Sequence, residues 1–160
     1  MKKIITLALV SAMALSVSAT VFATDITPET SGSGKMNIIY NVDPTYTVTI
    51  PDMVTLGTSA DGSASNVVVA KGSKVVVKLT GTSGTNNAFT VKNTEDAELA
   101  YTVKNGTKNV NVGDTVLTVN PESATTGSAT LNFNAPDANS IKYSGTYSGT
   151  VTFTVLLENA

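Results

Sequence analysis

The chain has 160 residues and contains no His, Cys, Trp or Arg, so its basic groups are ten Lys set against twelve Asp and Glu. Those absences exclude an imidazole base, a thiolate nucleophile, a zinc-finger-type site and a disulfide framework. Carboxylates, Lys, Tyr and hydroxyls are left as the only groups able to do chemistry, and no cofactor motif accompanies them.

Met1-Lys2-Lys3 is a short positive region, an apolar stretch follows to about Ala19, and Val21-Phe22-Ala23 offers the small or apolar side chains a signal peptidase reads. Residues 1–23 are therefore expected to be a cleaved signal peptide, because the apolar run is shorter than the roughly 20 residues a membrane span needs. Removal would leave residues 24–160, with eight Lys and twelve acids and a formal charge of −4. That balance argues against a nucleic-acid or anionic-membrane partner. The chain closes on Val155-Leu156-Leu157-Glu158-Asn159-Ala160, without an apolar tail or a basic stop. The expected location is secreted, extracellular or cell-wall associated, with no membrane insertion after signal cleavage.

Residues 24–34 hold Pro28 and the run Ser31-Gly32-Ser33-Gly34, show no periodicity and read as a flexible arm. Residues 35–160 read as one β-domain, with 17 Val and 24 Thr in the exported part to suit pleated, half-buried surfaces. Met36, Ile38, Tyr40 and Val42 alternate with Lys35, Asn37, Ile39 and Asn41 as a first strand. Tyr46, Val48 and Ile50 repeat the pattern until Pro51 removes a donor. Residues 58–65 are rich in Gly, Ser and Asp and read as a loop, and three adjacent Val residues make 66–70 an ambiguous strand. Val75, Val77 and Leu79 share one face of a strand, and Phe89 with Val91 share another. Leu99, Tyr101 and Val103 lead into Asn105-Gly106, a type I′ hairpin signal that would place Tyr101 opposite Val110 and Leu99 opposite Val112. Leu117 with Val119, Leu131 with Phe133, and Val151, Phe153, Val155 and Leu157 complete the set. An all-β, antiparallel two-sheet sandwich of immunoglobulin-like type with about nine strands is the expected fold, since one-sided strands must bury their apolar faces against each other. A closed barrel is the alternative.

The stretch Tyr143-Ser144-Gly145-Thr146-Tyr147-Ser148-Gly149-Thr150-Val151-Thr152-Phe153-Thr154-Val155 resembles the closing strand of WxL-type cell-wall-binding domains of Gram-positive bacteria. Phe153-Thr154-Val155 stands where that family has its Trp-x-Leu triplet, and Phe89-Thr90-Val91 is a second copy. The resemblance implies noncovalent attachment to cell-wall peptidoglycan, or a place beside another surface protein, in an adhesin-like and noncatalytic role. Tyr143, Tyr147 and Phe153 are the candidate binding residues, although Phe and Val two apart are also what an ordinary β-core requires. Lys35 and Asn159 would be the partners of a Lys to Asn isopeptide bond of the kind found in Gram-positive surface domains.

The remaining constellations read as structural. Glu95, Asp96 and Glu98 form an acid cluster in a polar, turn-like segment, which suits solvation better than a glycosidase pair. Ser73 and Lys74 are adjacent on a strand and so point apart. Residues 61–65 lack the alternating ligands of a calcium loop, and Asn105-Gly106-Thr107 fits a glycosylation acceptor but serves the hairpin equally well. A second functional reading is a structural subunit that self-associates by strand addition, pilin-like, using the arm at 24–34 and the Thr-rich edge strands.

Overall fold

The structure is a computed structural model that describes residues 38–160. The expected signal peptide, the arm at 24–34 and Lys35 lie outside the described residues. Pro44–Ala160 form one compact unit, and residues 38–43 belong to another.

Pro44–Ala160 are all-β. The ten strands are β1 (Thr45–Thr49), β2 (Thr58–Val68), β3 (Ser73–Thr82), β4 (Thr90–Lys92), β5 (Glu98–Ala100), β6 (Val103–Asn105), β7 (Lys108–Val110), β8 (Thr115–Val119), β9 (Gly127–Phe133) and β10 (Val151–Asn159). Five of them make a sheet in the order β1-β2-β9-β6-β7, three make a second in the order β10-β3-β8, and β4 and β5 form a separate pair. Every pairing is antiparallel. The long runs of alternation map onto strands as read: Tyr46 and Val48 on β1, Val75, Val77 and Leu79 on β3, Leu131 and Phe133 on β9, and Val151, Phe153 and Val155 on β10.

Three expectations need correction. The alternating segment before Pro44 is not a strand where it is described: residues 38–43 have no regular structure and are exposed. Alternation makes a strand only where a ladder of hydrogen bonds holds it, and the described residues form none at 38–43. The loop expected at 58–65 is instead most of β2, the second strand of its sheet, hydrogen-bonded to β1 on one side and β9 on the other. Its inward positions are the small residues Ala60, Gly62 and Ala64, a period-two pattern hidden by weak strand propensity; pairing on both edges overrides that propensity. The hairpin is displaced by one residue. Val103 faces Val110 and Asn105 faces Lys108, so Gly106 and Thr107 form the turn and Leu99 pairs with Val91 instead. Gly106, at φ 61, supplies the one positive φ of the turn, which suits type II′ rather than I′. Asn105 stays extended because its side-chain amide donates to the Val116 carbonyl at 2.9 Å, tying β6 to β8.

Both larger sheets feed one apolar cluster. Val75, Val77 and Leu79 meet Val67, Val103, Leu131 and Phe133, with Tyr101 seated between Phe89 and Phe133 at ring-centroid distances of 5.5 and 6.4 Å. At the start of β9 the sheets approach closely: a Cβ on Gly127 would lie 2.7 Å from a Val119 methyl. Gly127→Ala is therefore expected to cost about 1–3 kcal/mol in denaturant unfolding through overpacking. Thr90 is buried and its Oγ1 finds no hydrogen-bond partner. Thr90→Val replaces that hydroxyl with a methyl of the same shape and is expected to stabilise the fold by about 1 kcal/mol; an equal loss would show that the hydroxyl is satisfied.

Candidate functional site

The inward apolar residues at one side of the fold are only half buried. Tyr46 and Val48 on β1, Ile50 after it, and Val151, Phe153 and Val155 on β10 all point toward the cluster without being covered. Val48, Ile50, Val151 and Phe153 among them line a groove of about 850 Å³. Its floor is made by the smallest side chains of the five-stranded sheet, Ala60, Gly62 and Ala129, with Gly62 directly opposite Ala129 on the neighbouring strand. Leu117, Leu131 and Phe133 line the deep end. Small residues on β2 and β9 hold the floor back where a Val or Leu pair would have filled the space.

The two strands that border the groove are both edges. β1 pairs only with β2, and β10 only with β3, among the described residues. Among the described residues no hydrogen bond joins β1 to β10, whereas the opposite side is bridged by the Asn105 amide. The groove thus combines an apolar lining with two rows of unpaired backbone donors and acceptors. Asp52 is the one charged residue on its lining, so it holds no acid–base pair.

The predicted site residues divide around this groove. Phe153 and Tyr147 line it together. Tyr143 does not, and its side chain is 59% exposed. The Tyr147 hydroxyl donates to the Tyr143 carbonyl at 2.9 Å, an arrangement akin to a tyrosine corner that anchors the approach to β10. Asn159 is exposed at the end of β10, opposite Ser73. The groove-floor residues were missed by the sequence reading, because Ala and Gly at alternate positions carry no hydrophobic signal.

The other charged constellations are occupied by local structure. The Asn93 side chain accepts from the backbone N–H groups of Glu95 and Ala97 at 3.0 and 2.8 Å and shapes the acid-rich turn, while Glu98 lies 3.6 Å from Lys92. Asp61 sits on the exposed side of β2 and accepts from the Thr130 hydroxyl at 2.6 Å. Lys78 pairs with Glu158 at 2.6 Å, which holds that carboxyl below its ordinary value chiefly through the hydrogen bond. Among the described residues no three His, Cys, Asp or Glu side chains are grouped to hold a metal ion.

Burial pushes the Tyr101 phenol above its ordinary value. Because burial disfavours the phenolate, the fold keeps its full stability below the unfolded value, about 10, and loses part of it as pH rises from there through the folded one. Tyr101→Phe is expected to leave neutral-pH stability within about 1 kcal/mol and to flatten the alkaline loss in pH-dependent unfolding; an unchanged alkaline limb would assign it to other groups.

The chain matches no family model in a scan of protein families, and a search of curated proteins returns no match.

Proposed function

We propose that this chain is a noncatalytic extracellular binding module, an immunoglobulin-like sandwich with one position left open, which holds an extended polypeptide segment in the groove between β1 and β10. The observation that carries this reading is the coincidence of an apolar, nearly uncharged groove with two unpaired strand edges. A small apolar ligand would use the lining alone. A strand uses both, since its backbone satisfies the edges and its alternate side chains enter the groove.

The leader-like N-terminus supports secretion, and the closing-strand resemblance supports a setting at a Gram-positive wall, beside peptidoglycan or another surface protein. Tyr143, exposed beside the groove-lining Tyr147, is the residue to vary for a sugar contact.

The test is titration of the exported protein with short peptides of alternating apolar sequence, followed by hydrogen exchange. Outer-edge amides of β1 and β10 should gain protection, and Ala129→Leu, which raises the floor, should weaken binding at least tenfold. Protection absent from both edges would remove the strand-binding reading. Cosedimentation with Gram-positive walls and purified peptidoglycan tests the setting: saturable pelleting that falls with Tyr143→Ala supports wall attachment, and protein left in the supernatant moves the partner to a protein.

A further inference from the structure

We propose that the segment held in the groove is residues 36–42 of a second copy of this chain, so that subunits join head to tail. The inference rests on the strand-binding reading above and names its partner.

Residues 38–43 are in no strand, and Ile38, Tyr40 and Val42 are 86%, 88% and 62% exposed. A soluble chain rarely leaves so many large apolar side chains in water without a use for them. In sequence these three continue the alternation begun by Met36, with Asn37, Ile39 and Asn41 between them. One face of the segment would be wholly apolar if it were extended, and its length as a strand would be about 23 Å at roughly 3.3 Å per residue. The acceptor has the complementary features. Its floor is Ala60, Gly62 and Ala129, which leave room for large side chains from outside, and it is flanked by the free edges of β1 and β10.

The connection to β1 favours a second copy over the chain's own groove edge. Asp43 and Pro44 alone separate Val42 from Thr45, the first residue of β1. A two-residue hairpin laying the segment back on its own β1 would need a type I′ or II′ turn. Proline cannot take the positive φ of I′, and a residue before proline is confined to extended conformations, which opposes the positive φ that II′ requires at Asp43. Asp43 is not among the described residues with positive φ. A tight hairpin back onto the chain's own β1 is therefore disfavoured by the Asp43-Pro44 sequence itself. Because donor and acceptor are different surfaces, the contact is heterologous and each added copy presents a fresh groove.

The experiment uses the protein as exported by a host, analysed by size-exclusion chromatography with light scattering. A ladder of oligomers is expected for the natural sequence, collapsing to monomer when Ile38→Asp and Tyr40→Asp are combined; both side chains are exposed, so folding should be unaffected. That monomer should bind a synthetic peptide of residues 34–43 and gain protection along β1 and β10. Mixed with an Ala129→Leu variant, whose groove is blocked, it should give one-to-one dimers and nothing longer. Should Ala129→Leu fail to fold, Ile50→Asp at the rim blocks the same groove. A natural sequence that stays monomeric at high concentration, or oligomers that survive the double substitution, would overturn the inference. So would a monomer whose groove accepts the peptide only after the substitutions, since the segment would then close its own groove. Binding of other alternating apolar peptides but not of 34–43 would leave the groove reading standing and remove this one; binding of no peptide would remove both.

Discussion

Burial of Val75, Val77 and Leu79 against Val67, Val103, Leu131 and Phe133 is the interaction on which the rest of the structure depends. It holds the three-stranded and five-stranded sheets to a common cluster without disulfides, as a domain of this size can do. At one side the two sheets are joined further, by the Asn105 amide on the Val116 carbonyl and by the close approach of β9 to β8 at Gly127. At the other side nothing comparable among the described residues closes the cluster. There the inward residues of β1 and β10 are half covered, and the groove is the consequence.

That asymmetry carries a physical tension. Half-buried Phe153, Val151, Val48 and Ile50 keep apolar surface in contact with water, at roughly 25 cal/mol for each Å² left uncovered. Among the described residues the outer edges of β1 and β10 have no strand partner, which adds unpaired backbone groups. Under the proposed function, one more strand would cover that apolar surface and pair those edges at once. Asp52 is the one charged residue on the lining; the others with partners lie off it, paired as Lys78 with Glu158 or Lys92 with Glu98, or bound into local structure as with Asp61. Recognition in such a groove would come from side-chain size and backbone pairing, with little dependence on salt.

Strands whose apolar face is made of large residues were legible from alternation alone, as β1, β3, β9 and β10 illustrate. β2 was not, because Ala60, Gly62 and Ala64 form an inward face of small residues with turn-like neighbours. The Asn105-Gly106 pair announced a hairpin correctly and misplaced its register, since Asn105 is drawn by Val116 into the strand instead of the turn. Phe153 and Tyr147 were marked for possible binding and do line the groove, while Tyr143 lies off it. The segment with the plainest alternation before β1 is unpaired over the residues described.

Composition and periodicity by themselves determined an all-β chain, the absence of imidazole and thiol chemistry, and most strand faces, because each depends only on side-chain type and a spacing of two along the backbone. Which strands pair, where the small residues meet, and which edges stay open were decided by the tertiary structure. Those properties arise from contacts between positions far apart in the chain: Gly62 opposite Ala129, and β1 and β10, which open and close the unit, bordering one groove. Alternation can tell a strand which way to face, but which strands end as edges is visible only once all of them have taken their places.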